Sequence, residues 1–127
     1  MNEKFRIKDM ALQHQLGQKG EQLAVDYLLK KEFTILHRNW RFSRYEIDII
    51  AEKLGKVHFV EVKLRSSIKY GQPEEKVRKS KFRKILKAAD AFLHLHRQYR
   101  HVQFDILAVS MYPRGEHACF FIEDVFW

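Results

Sequence analysis
The sequence predicts a mixed α/β domain whose elements run helix, three strands, helix, two strands. Three observations carry this. Apolar residues recur at helical spacing in two segments, around residues 12–28 and 77–93. Short runs rich in Val, Ile and Phe, bounded by turn residues, read as strands. One helical segment falls between the third and fourth of these runs, where it can carry the chain across to a parallel neighbour. A mixed central sheet of about five strands flanked by helices follows.

The first helix is expected from about Asp9 to Lys31, with Leu12, Leu16, Gly20, Leu23, Ala24, Tyr27 and Leu28 on its stripe and Asp9 as its cap. The chain reads as a single domain over residues 1–127, with residues 1–8 a flexible N-terminal segment. Residues 33–40 form a first strand. Two more follow, Tyr45-Glu46-Ile47-Asp48-Ile49-Ile50 and Val57-His58-Phe59-Val60-Glu61-Val62-Lys63-Leu64. The link 52–56 is short and contains Gly55, as hairpin loops often do. A polar loop spans 65–72. Pro73-Glu74-Glu75 suits a helix start, because proline fits the first turn and the acids complement the positive end of the dipole. That helix is expected to reach about Tyr99. Strands over 102–109 and 118–122 close the chain, the last open to extension toward Phe126, with Tyr112-Pro113-Arg114-Gly115 as the turn between them.

The chain has 127 residues, enough for one core, and its hydrophobic fraction of 46% excludes a disordered chain. Lys and Arg outnumber Asp and Glu by 24 to 16, a balance that favours polyanions such as nucleic acid. Cys119 is the only cysteine, which rules out an internal disulfide and fits a reducing cytoplasm; its neighbours suggest a buried structural thiol. No apolar run approaches the ~20 residues that span a bilayer, so no membrane role is expected. The seven histidines lack metal-ligand spacing and are read as non-ligands. Gly-rich phosphate loops and a serine nucleophile elbow are both absent from the sequence.

Asp48, Glu61 and Lys63 are the most informative residues. Alternation along a strand puts Glu61 and Lys63 on one face with Val57 and Phe59. A turn centred on Leu54-Gly55 sets Asp48 opposite Glu61 and Glu46 opposite Lys63, with Cβ atoms ~5 Å apart in each pair. Opposed like charges are destabilising, and a divalent cation between Asp48 and Glu61 would relieve them. A loop longer or shorter by one residue would turn one strand over. The ordinary alternative is two acids facing water, with Lys63 as a salt-bridge partner. Glu21 shares a helix face with Gly17, Ala24 and Leu28, so its carboxylate needs a partner: either the acids of the strands, or Lys19 or Lys30 at a helix flank. Gly17 and Gly20 would allow close helix–sheet packing or substrate approach.

The second helix is basic, with Lys76, Arg78, Lys79, Lys81, Arg83, Lys84 and Lys87. Most of these form a solvated face. Lys81 is spaced by four from both Val77 and Ile85, on the apolar stripe, where it either snorkels to the core edge or reaches a site and contacts phosphate. Arg65 and Lys69 extend the positive surface. Arg38, Arg41 and Arg44 alternate with Trp40, Phe42 and Tyr45, either as a nucleic-acid grip or as a strand edge whose rings enter the core.

Taken in order, Gly17-x-x-Gly20-Glu21-x-x-Ala24, Ile35-Leu36-x-Arg38-Asn39, Glu46-Ile47-Asp48-Ile49-Ile50-Ala51, Phe59-Val60-Glu61-Val62-Lys63-x-Arg65 and Phe104-Asp105 resemble the YraN-like uncharacterised bacterial family UPF0102. The resemblance covers about residues 12–110. That family is similar to archaeal Holliday-junction resolvases and to the restriction-endonuclease-like PD-(D/E)XK superfamily. Tyr45 departs from the pattern, standing where the family usually has Gly, and would narrow the approach to the site.

The resemblance implies a restriction-endonuclease-like fold and a metal-dependent nuclease acting on DNA, with branched or damaged DNA as one candidate substrate and linear DNA left open. Asp48 and Glu61 would bind Mg²⁺ or Mn²⁺, with the backbone carbonyl of Val62 as a further ligand and Glu21 completing the cluster directly or through water. Glu21, Asp48, Glu61 and Lys63 would form the catalytic set, Lys63 orienting the attacking water or stabilising transition-state charge. Arg65 and Lys81, with Arg38, Arg41 and Arg44, would contact nucleic acid. Glu46 and Asp105 stay outside that set. Two other readings stand beside it: a catalytically inactive nucleic-acid-binding protein, and a homodimer or interaction module built on the Phe120-Phe121 strand.

Overall fold
The computed structural model describes residues 3–65 and 79–125. Its elements are α1 (Glu3–Lys30), β1 (Thr34–Phe42), β2 (Tyr45–Lys53), β3 (Lys56–Arg65), α2 (Lys79–Leu95), β4 (His101–Met111) and β5 (His117–Ile122). The five strands form one sheet in sequential order. All neighbours are antiparallel except β3 and β4, which lie parallel across the connection that contains α2. The predicted α/β order and mixed sheet are therefore what the chain adopts.

Each helix covers one face of the sheet. Ala24, Val25 and Leu28 of α1 pack on Ile49, Ala51, Val60, Leu107 and Val109. Ile85, Ala88, Ala89 and Phe92 of α2 pack on Ile47, Ile50, Val57 and Phe59. Phe92 is the hub of the second core: Trp40 and Phe59 meet it edge-on at 5.4 and 5.8 Å, and Tyr99 stacks on it at 6.0 Å. Trp40 thus belongs to the core, as does Tyr45 at its margin, whereas Phe42 is exposed. Gly20 sits where α1 crosses the sheet most closely. A Cβ there would lie 2.4 Å from Leu64 Cδ1, whereas one at Gly17 would meet nothing within 4 Å. Only Gly20 is needed for helix–sheet packing.

The β2–β3 hairpin fixes the register of the acidic residues. Leu54 and Gly55 both take positive φ, 51° and 79°. This is the mirror-type two-residue turn that matches strand twist. It pairs Lys53 with Lys56 and continues to Ile49 with Val60, the register expected from the sequence.

Several boundaries differ from expectation. α1 begins at Glu3, so Asp9 lies inside the helix and does not cap it. α2 ends at Leu95 rather than Tyr99, because Tyr99 turns back to stack on Phe92 before β4 begins. Cys119 is half-buried rather than buried, and that burial raises its thiol pKa. The predicted start of the second helix at Pro73-Glu74-Glu75, with Lys69, Lys76 and Arg78, lies outside the described residues. No helix among the described residues is long and apolar enough to cross a membrane.

Candidate active site
Asp48 occupies a break in the sheet. The β2–β3 ladder stops at Ile49–Val60, one step short of pairing Asp48 with Glu61. On the other side, the β1–β2 ladder pairs Arg38 with Ile49 and Trp40 with Ile47 but leaves out Asn39 and Asp48. Asn39 there has φ 52°, a left-handed conformation that asparagine tolerates better than most residues. Ile47 and Ile50 both enter the α2-side core, so β2 does not alternate cleanly through Asp48. With the strands parted, the Val62 N–H donates to Asp48 Oδ2 at 2.8 Å.

This placement lets Asp48 face two ways. On the α1 side it lines an open cleft of about 600 Å³ together with Glu21, Asn39, Arg41, Glu46 and Val62. On the α2 side its carboxyl neighbours that of Glu61, whose charge acts on it. Glu61 is buried, and Lys81 Nζ of α2 forms an ion pair with its Oε1. The Asp48 pKa is pushed up to about 7, first by burial and then by the charge of Glu61. The Val62 N–H and Lys81 pull it back only in part. Burial lowers the Lys81 pKa, but the hydrogen bond and charge of Glu61, with Asp48 and Glu46 behind, outweigh it and hold the ammonium above its usual range.

Glu21 reaches the same cleft from α1. Asn39 Nδ2 donates to its Oε1 at 2.7 Å, and Arg38 Nε approaches the same oxygen at 3.4 Å. Arg38 also donates to Gln22 at 3.0 Å. Neither expected flank partner, Lys19 or Lys30, holds Glu21. Arg41 pairs with Glu46 at 3.1 Å, at the rim of the cleft. Arg44 lies over the Tyr45 ring at 5.5 Å, with Lys87 at the same distance, and its hydrogen bond lowers the Tyr45 pKa.

The cation on Glu61 is Lys81 rather than Lys63, which corrects the simple salt-bridge reading. Lys63 is half-buried at the exit of β3 and makes no hydrogen bond or ion pair among the described residues. Arg65 ends the same strand, level with Ser110 of β4. What the structure gives Val62 is its N–H to Asp48, which the sequence reading did not anticipate. Asn39 was also missed as a site residue; its tolerance of positive φ was the available signal.

Asp48 and Glu61 converge, and Glu21 stands across the cleft under other partners. Among the described residues, no three His, Cys, Asp or Glu side chains gather as a ready-made metal cage. Two neighbouring carboxylates with space on one side nonetheless suit an ion such as Mg²⁺, which commonly takes one or two protein carboxylates and keeps several waters.

Comparison with known proteins places this geometry in a family. The model of the uncharacterised protein family UPF0102 matches residues 20–109, which include Glu21, Asp48, Glu61, Lys63 and Lys81. A UPF0102 protein of Bacteroides thetaiotaomicron is 40% identical over 116 residues, covering 91% of this chain and 93% of its own. Another, from Flavobacterium psychrophilum, is 40% identical over 118 residues, covering 93% and 98%. A third, from Bacteroides fragilis, is 42% identical over 100 residues, covering 79% and 83%. By the extent of that match and these identities, the chain belongs to the uncharacterised protein family UPF0102.

Proposed function
We propose that the chain is a metal-dependent nuclease that hydrolyses phosphodiester bonds in DNA, with branched and damaged DNA among the candidate substrates, on a fold of the restriction-endonuclease-like PD-(D/E)XK type. The observation that carries this reading is the meeting of Asp48 and Glu61 at a break in the sheet. Two carboxylates share a buried place, where burial first and the charge of Glu61 second drive the Asp48 pKa to about 7. Functional sites tend to hold such strained pairs.

Asp48 and Glu61 would hold Mg²⁺ or Mn²⁺, with Val62 and Glu21 completing the set. The chemistry such a cation supplies when bound is a more acidic water and neutralisation of charge on the scissile phosphate. The Val62 N–H orients Asp48, and Asn39 with Arg38 orients Glu21. Lys63 shares its strand face with Glu61 and is uncommitted among the described residues, so it orients water or meets developing phosphoryl charge. Lys81 steadies Glu61 and, once a cation takes that role, turns to phosphate. Arg38, Arg41, Arg44 and Arg65 bind the nucleic-acid backbone. The basic balance of the chain and its lone cysteine suit nucleic-acid binding in the cytoplasm.

One observation favours a second reading, a nucleic-acid-binding protein without catalysis: Lys81 already supplies Glu61 with a positive partner. A panel of linear, flapped and four-way-junction DNA, incubated with Mg²⁺ or Mn²⁺, separates the two. Cleavage is expected, abolished by Asp48→Ala and by Lys63→Ala, with binding largely intact. Metal-independent binding without cleavage across the panel supports the second reading instead.

A further inference from the structure
A second polar cluster lies at the other end of the sheet, ~16 Å from Asp48 counted along β2 to Lys53. α1 gives a similar span, ~15 Å from Glu21 to Lys31. Here a cavity of about 420 Å³ opens between α1 and the β2–β3 turn, with Lys31, Lys53, Lys56, His58 and Gln103 in its walls. Glu123 is the one acid among its lining residues.

The cavity wall is anchored by a buried carboxylate. Asp105 accepts from Gln103 Nε2 at 2.8 Å and from the Asp124 backbone N–H at 2.9 Å on one oxygen. Its other oxygen lies 2.6 Å from His58 Nδ1. Both Asp105 oxygens therefore meet donors when Nδ1 carries the ring proton. The His58 side chain is only 7% exposed. Among the described residues its Nε2 has no hydrogen-bond partner, yet no fully buried side-chain nitrogen or oxygen there lacks one. Nε2 therefore opens onto the cavity that His58 lines.

The lysines are gathered against their mutual repulsion. Lys53 and Lys56 are directly paired across the hairpin, a like-charge arrangement that destabilises a ladder. Lys53 lies 5.2 Å over the Phe33 ring, Lys31 lies 5.7 Å over Tyr27, and Lys56 donates to Gln103 at 3.2 Å. A structural strut between β3 and β4 would account for Nδ1 and Asp105. It leaves unexplained the open Nε2 and the three ammonium groups around it.

We propose that the cavity walled by Lys31, Lys53, Lys56 and His58 is a second binding site, for a phosphate group, separate from the acidic cluster at Asp48. A tetrahedral, multiply charged anion can take several donors at once. Protonated on both nitrogens, His58 would donate through Nε2 while Asp105 balances its charge. The rings of Tyr27, Phe33 and Phe121 pack on one another and under the lysines, so recognition rests on the phosphate and not on a base. The volume leaves room for the body of a phosphate ester. The site does not depend on the nuclease reading.

The full chain can be titrated with inorganic phosphate, adenosine 5′-monophosphate and an unphosphorylated oligonucleotide at constant ionic strength, following the His58 ring by NMR. A saturable shift is expected with at least one of them. Lys53→Gln combined with Lys56→Gln should weaken it about tenfold, whereas Asp48→Asn should leave it unchanged. Both lysines are at the surface of a hairpin, and an unchanged melting temperature verifies the fold of the double variant. Saturation with phosphate or the nucleotide identifies a small phosphate ester, and saturation with the oligonucleotide alone identifies a strand; both sustain the site. A shift that chloride reproduces, that fails to saturate with any probe, or that persists at full strength in the double variant overturns it.

Discussion

Lys81 of α2 neutralises Glu61 of β3, and it does so from the helix rather than from the strand position two residues beyond Glu61. Glu61 is only 7% exposed, whereas Lys81 remains half in solvent. Removing the cation leaves a buried carboxylate without a partner. Lys81→Met should cost about 1–2 kcal/mol in denaturant unfolding, less than for a fully buried pair because solvent screens Lys81. It should also tighten Mn²⁺ binding measured by calorimetry, since a competing positive charge has gone. Weaker Mn²⁺ binding in this variant would place Lys81 on the side of the metal site and not against it.

Asp48 links the same cluster to pH. Its carboxyl rises from an ordinary 3.8 to about 7 on folding, chiefly through burial and Glu61. A group whose pKa is raised in the fold stabilises the protein fully below its unfolded value and loses that contribution as pH climbs to the folded value. Stability should therefore fall between about pH 4 and pH 7 and level off above. Asp48→Asn should exceed the native protein by roughly 1–3 kcal/mol near pH 8, with the gap shrinking toward pH 4. Added Mg²⁺ should raise the melting temperature of the native chain at the higher pH and leave Asp48→Asn unmoved. The same gap at both pH values sinks the idea.

Asn39 combines a backbone role and a side-chain role, and two substitutions separate them. Asn39→Ala loses both asparagine's tolerance of the left-handed φ of 52° and the bond to Glu21, so it should destabilise by about 1–2 kcal/mol. Asn39→Gly relieves the backbone part and should recover much of that loss in the same unfolding assay. On the proposed reading, both should slow cleavage, because Glu21 loses its 2.7 Å donor in each. Cleavage at the native rate by the Gly variant removes Asn39 from the positioning of Glu21.

The two helix glycines should respond in opposite ways. Gly17→Ala meets empty space and should stabilise by roughly 0.5–1 kcal/mol through helix propensity. Gly20→Ala must displace the Leu64 side chain, which offsets that gain, and Gly20→Val should lower the melting temperature outright. Matching shifts for the two alanine variants contradict this.

The hairpin register was legible from sequence because a two-residue turn leaves a single alternation, and Leu54 tolerates the turn by standing 97% exposed. The crossover was legible because a helical pattern lies between β3 and β4 in the sequence. Lys81 could be placed on the apolar stripe, but not onto Glu61, since helix spacing says nothing about the strand it crosses. The kink at Asp48 was hidden because an Ile-rich run reads as regular strand. His58 and Asp105 stand 47 residues apart in the chain, and the parallel register that sets Val60 beside Asp105 is what brings them together. No local pattern encodes that meeting.

Among the described residues, β1 and β5 are the two border strands of the sheet. A straight border strand offers a template on which another chain can extend the sheet. β1 is interrupted twice, by the register shift between Ile35 and His37 and by the left-handed turn of Asn39. Its hydrogen-bonding groups therefore do not line up along one row. The kink that hands Asn39 to Glu21 also breaks the row on which a further strand would pair, whereas β5 keeps an unbroken register with β4 and carries Phe120 in solvent.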